Sequence, residues 1–156
     1  MSKRRFLTFL LVVVVAVSGK SVFAQSTAKR NEMTAEILQY VNEYRAKHGL
    51  SPLRADPAIA ADAEIHSRNM AAGRVPFGHD GFNDRVTDLG HKINSLSGCA
   101  ENVAAGEIDA KEAVHMWLNS PGHKKNIEGN YNLSGIGIAK GSDGQLYFTQ
   151  IFVRKG

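Results

Sequence analysis

The sequence predicts an α+β fold, a three-layer α-β-α sandwich around a small central antiparallel sheet. Two strand-like runs, Ser134–Lys140 and Leu146–Arg154, are joined by Gly141-Ser142-Asp143-Gly144, the pattern of a hairpin. The second run carries Tyr147, Phe148, Ile151, Phe152 and Val153, so both of its faces are apolar and both need cover. Upstream, apolar residues recur at helical spacing, which supplies the covering helices. At 156 residues, 43% of them hydrophobic, the chain is long enough for one core and shows no internal repeat.

Residues 1–24 read as a secretory signal peptide. Lys3-Arg4-Arg5 is a basic lead, Phe6 to Val17 is an apolar run, and Val22-Phe23-Ala24 offers a cut after Ala24. The apolar run is short of the ~20 residues a membrane span needs, so no transmembrane segment is expected after cleavage. The leader also accounts for the basic balance. Lys3, Arg4, Arg5 and Lys20 are four of the 19 Lys and Arg; without them the remaining basic groups equal the 15 acidic ones. No basic stripe is left to neutralise phosphates, so nucleic acid is not an expected partner. The single Cys99 excludes an internal disulfide. The expected location is secreted, either periplasmic or extracellular.

In the mature chain, 25–33 is polar and reads as a flexible lead-in, followed by one domain over 34–156. A helix is expected from Thr34, its cap, through Ile37, Leu38, Val41 and Tyr44 to a close at Gly49. Asp56-Pro57 starts a second helix, with Ile59, Ala63, His66 and Met70 on one face and Gly73 at its end. A shorter helix is expected from Asn83 to Leu89, then an extended segment from Leu96 to Ala104. Asp109 with Glu112 forms a capping-box pattern for a helix carrying Ala113, Met116 and Trp117, which must stop before Pro121.

Among six histidines, His48 suits a helix end and His66 reads as a packed core residue; His91 and His115 have nothing distinctive nearby. His79 and His123 each follow a glycine in loop-like sequence, where an imidazole can be aimed into a cleft. Glu101 is the matching acid, in the small and apolar stretch Gly98-Cys99-Ala100-Glu101-Asn102-Val103-Ala104. An extended backbone there puts Cys99, Glu101 and Val103 on one face. A buried carboxylate needs partners. Two histidines would provide them and could hold a divalent metal or exchange protons; equally, Glu101 could only tie down loops.

Five stretches then occur in order: His66-Ser67-Arg68-Asn69-Met70, Gly78-His79-Asp80-Gly81-Phe82, Glu101-Asn102-Val103-Ala104, Trp117-Leu118-Asn119-Ser120-Pro121-Gly122-His123-Lys124-Lys125-Asn126-Ile127, and Tyr147-Phe148-Thr149-Gln150-Ile151-Phe152. Together they resemble the CAP superfamily, or SCP domain, in the short disulfide-free form of its secreted bacterial members. The resemblance spans about Thr34 to Val153. It implies an α-β-α sandwich with a surface cavity lined by two histidines and two glutamates, at which some members bind zinc or another divalent cation. By motif, His79 and His123 are the histidines and Glu101 one glutamate. The second glutamate's place, three after the tryptophan, holds Ser120.

The resemblance implies a secreted ligand-binding module, with a divalent cation at His79, His123 and Glu101 and an unidentified extracellular partner, lipid or protein. One alternative is a hydrolase: the two histidines would hold a metal-bound water with Glu101 as general base, or Cys99 would act as nucleophile. Many relatives bridge a cysteine at that place, so a partnerless packing residue is the plainer reading of Cys99. The other alternative is a structural cluster, with function on the variable surface. Asn102 is expected to support the loop around Glu101, and Trp117 to pack behind the site.

Overall fold

The computed structural model describes residues 19–156. Most of the expected leader, 1–24, lies outside the described residues. Helix α1 (Gly19–Lys47) covers the expected lead-in, so 25–33 is helical rather than loose. The reason is local: no glycine or proline interrupts the chain from Lys20 to His48, and Ala, Gln, Lys, Arg, Glu and Met favour helix. Thr34 is therefore no cap; its hydroxyl donates to the Asn31 carbonyl within the helix (2.8 Å). Gly49, at φ 70°, supplies the expected left-handed stop. Among the described residues, no helix is long and apolar enough to cross a membrane.

The short β1 (Arg54–Ala55) leads into α2 (Pro57–Ala71), capped as expected: the Asp56 side chain accepts from the Ala58 and Ile59 amides. Next come α3 (Phe82–Lys92) and β2 (Leu96–Gly106). The capping box of Asp109 and Glu112 opens α4 (Ala110–Asn119). Pro121 does stop that helix, but it also begins another, α5 (Pro121–Ile127). This element is not expected from the sequence, where Pro121 serves as a terminator, although proline at the first helical position is favourable. The hairpin follows as β3 (Leu133–Lys140) and β4 (Leu146–Lys155).

The strands lie in the order β1-β3-β4-β2, with β3, β4 and β2 antiparallel. The one departure from an antiparallel sheet is β1, which adds two residues parallel to β3. β4 faces both layers, as its composition requires. Phe148 and Phe152 pack with Ile37, Val41, Val114 and Trp117 under α1 and α4. Ile151 and Val153 pack with Ile59, Ala63 and Leu89 under α2 and α3. At Gly135 and Gly137, α2 comes so close to β3 that an added Cβ would lie 2.1 Å from the Ala60 and Glu64 amide nitrogens, respectively.

β2 is an edge strand, and side chains cover part of its free edge. The Trp117 indole donates to the Val103 carbonyl (2.9 Å) and the Asn126 amide to the Glu101 carbonyl (3.1 Å). This edge is where the two helical layers meet. The loop ahead of α3 reaches it from one side and α5 from the other, and the candidate site forms there.

Candidate functional site

Glu101 is the centre of the site. Its side chain is 1% exposed, and its carboxylate is filled by neighbours. Arg85 of α3 grips it with two donors, Nε to Oε2 (2.9 Å) and Nη2 to Oε1 (2.8 Å). A two-point guanidinium contact of this kind is among the strongest ways to satisfy a buried carboxylate. His79 adds a third contact, donating from Nδ1 to Oε1 (2.9 Å). His66 Nε2 lies 3.9 Å from the same oxygen.

Each histidine is placed by its own neighbours. His66 is buried on α2, as expected for a core histidine, and its Nε2 donates to the Gly78 carbonyl (2.8 Å). Because a carbonyl only accepts, the His66 proton is on Nε2. Burial, with help from Arg85, holds the His66 pKa below its ordinary value. Gly78, at φ 146°, turns the chain so that the next residue, His79, points to Glu101. His123 is not in a loop as its Gly122 neighbour suggested; it lies in α5. Asn102 anchors it, donating to the His123 carbonyl (3.1 Å) while accepting from Asn126 (2.9 Å). The expected support role of Asn102 therefore falls mainly on the His123 side, and Trp117 is fully buried behind β2.

The His79 and His123 rings are neighbours, with centroids 6.3 Å apart and planes tilted by 59°. Burial, and then the neighbouring His79, lower the His123 pKa. His123 is thus neutral at neutral pH, with a lone pair to offer. His79 is half-exposed, and among the described residues its Nε2 has no hydrogen-bond partner.

This geometry tests the expected cation site. Among the described residues, no three His, Cys, Asp or Glu side chains are gathered so as to hold a metal ion. Both Glu101 oxygens are engaged, so Glu101 stands as the support of His79. The ring nitrogens of the two imidazoles that face no described partner are left uncommitted, and a carboxylate that fixes one nitrogen of a histidine is the arrangement usual behind a metal-bound histidine. Among the described residues Ser120 forms no hydrogen bond with Glu101; it lies between α4 and α5, its backbone amide on the Trp117 carbonyl. Cys99 packs at the edge of the α2-side core, and burial together with Glu101 pushes its thiol up to about 12. A thiol so protonated is a poor nucleophile.

Arg85 is the residue the sequence did not reveal. The need of a buried Glu101 for partners is readable, but nothing in the sequence sets Arg85 apart from Arg68, Arg74 or Lys92.

Residues 38–152 match the family model of CAP, the cysteine-rich secretory protein family. The chain belongs to this family. As a CAP protein it is 33% identical over 135 residues to the membrane protein YlbC of Bacillus subtilis, a match covering 81% of this chain and 36% of YlbC. The chain thus spans about a third of that relative's length. An extracellular protein of Bacillus anthracis containing a SCP domain superposes with TM-score 0.66 and 32% identity, over 81% of this chain and 41% of that one. An outer surface protein of Borrelia burgdorferi superposes with TM-score 0.71 over 80% of this chain and 94% of its own, at 23% identity, a likeness of fold.

Proposed function

We propose that this CAP domain is an extracytoplasmic ligand-binding module whose His79–His123 pair takes a divalent cation, with zinc the first to test. One observation carries the reading: Glu101 holds His79 through Nδ1, leaving Nε2 without a partner among the described residues, while the His123 ring centroid lies 6.3 Å from that of His79. His79 and His123 would hold the cation, and water would complete its shell. Glu101 orients His79, and Arg85 orients Glu101. A bound cation would supply a Lewis acid at the site. The basic, apolar leader pattern and the extracellular or outer-surface names of structural neighbours support a location outside the cytoplasm.

Binding is favoured over hydrolysis because Glu101, filled by Arg85 and His79, is poorly placed to act as a free general base. A scaffold role for the Arg85–Glu101 pair itself has direct support, since it ties α3 to β2. Calorimetric titration with zinc tests the proposal. We expect one-to-one binding by the wild type that is lost in the His79→Ala, His123→Ala double variant. A folded wild type that binds no zinc would contradict the reading.

A further inference from the structure

The dipeptide Asp-Gly occurs twice in the chain, as Asp80-Gly81 ahead of α3 and as Asp143-Gly144 in the β3–β4 hairpin. In such a pair the glycine nitrogen can attack the carboxyl group of the aspartate, because glycine has no side chain to hinder the approach. Both aspartates are exposed, so access to water does not separate them. Their hydrogen bonding does.

At Asp143 both oxygens are held: the Gln145 amide donates to Oδ1 (3.0 Å) and the Tyr147 hydroxyl to Oδ2 (2.9 Å). The nitrogen that would attack is held as well, since the Gly144 amide donates to the Gly141 carbonyl (3.1 Å). At Asp80 the same groups are uncommitted. Among the described residues its carboxyl group has no hydrogen bond or ion pair, and the Gly81 amide has no acceptor. The bonds that do hold this turn end on carbonyls. The Phe82 amide donates to the His79 carbonyl (3.0 Å), and Arg85 Nη1 to the Asp80 carbonyl (2.8 Å). Neither engages the Asp80 carboxyl group or the Gly81 N–H.

We propose that Asp80 is a site of isoaspartate formation in the native protein and that Asp143 is protected from it. The Gly81 nitrogen bonds to Asp80 Cγ; its proton and the carboxyl OH leave as water, closing a succinimide ring. Water then adds at the former main-chain carbonyl carbon of Asp80, and the bond from that carbon to the Gly81 nitrogen breaks. The main chain now runs through Cβ and Cγ, one atom longer, and the old carbonyl is a free carboxylate. The water lost is regained, so the mass is unchanged and no other reactant is needed. The new carboxylate forms where Arg85 now meets a carbonyl, and Arg85 is the residue that grips Glu101. The modification therefore reaches the support of His79 from outside the Glu101 cluster. None of its steps rests on the zinc reading.

Peptide mapping of the full chain tests this, after incubation at neutral pH and physiological temperature beside the same chain in guanidinium chloride. Trypsin places the two aspartates in separate peptides, 75–85 and 141–154. Isoaspartate appears as a second peak of equal mass, located by electron-transfer fragmentation. Sampling continues until both sites have isomerised in the denatured chain. We expect native Asp80 to isomerise about tenfold or more faster than native Asp143, where three hydrogen bonds must open first. In guanidinium chloride the two rates should become alike. Native Asp80 that stays intact while the denatured chain isomerises overturns the proposal, as do equal native rates at the two sites. A tenfold difference that persists on denaturation also overturns it, because local sequence and not the fold would then set it.

Discussion

A carboxylate with its side chain 1% exposed is expensive to bury, and at Glu101 that cost is offset by Arg85 and His79. Removing one partner of such a pair leaves an uncompensated charge inside. Arg85→Met is therefore expected to destabilise the fold by about 3 kcal/mol, read by urea denaturation. Adding Glu101→Met to that variant should recover much of the loss. Little change in Arg85→Met would mean that the pair carries no such weight. At Cys99, alkylation by iodoacetamide near neutral pH should be much slower in the native chain than in urea, because the thiol is pushed up to about 12. Equal rates would restore a reactive cysteine. His79, Glu101 and His123 were legible because each is a chemically conspicuous residue in plain surroundings. Arg85 was not, because a surface-type cation in a polar helix looks the same whether it faces water or a buried acid.

At the scale of elements, the closest contact is α2 on β3. Ser67 strengthens it, donating to the Gly137 carbonyl or the Thr149 hydroxyl (3.0 and 2.8 Å). An alanine Cβ at Gly137 would collide with helix backbone, which cannot rotate away as a side chain can. Gly137→Ala is expected to cost about 3 kcal/mol in thermal or urea unfolding, and an unchanged midpoint would contradict this packing. Hydrophobic periodicity revealed β3, β4, α2 and the buried face of α1. It did not reveal the full length of α1, whose early turns are polar, nor α5, which is too short to show a period. It also could not reveal Arg45. That buried guanidinium donates to the Ser51, Ile127, Gly129 and Tyr131 carbonyls, tying the end of α1 to the segment after α5. Its partners are backbone atoms, which leave no side-chain signature.

For the whole molecule, stability should depend on pH through His66 and His123. Both have native pKa values below the ordinary one, His66 chiefly by burial and His123 by burial and then His79. As pH falls below about 6.5, the unfolded chain takes up protons that the native chain refuses. Stability is therefore full above that value, falls with decreasing pH through the window down to the native pKa values, and then levels for these two groups. Chemical denaturation across mildly acidic pH should show this slope, and His66→Gln should flatten it. An unchanged slope would remove His66 as a cause. The layered architecture was legible from the two-faced β4. The meeting of both layers over the β2 edge was not, because His79 and His123 are brought together only by tertiary packing.

The most direct test of the site is the tautomer of His79, read from nitrogen chemical shifts of its ring in mildly alkaline solution. The expected result is a proton on Nδ1, held by Glu101, and an unprotonated Nε2, both altered in Glu101→Gln. A proton on Nε2 in the wild type would contradict the account, because His79 would then have no unprotonated nitrogen beyond its contact with Glu101.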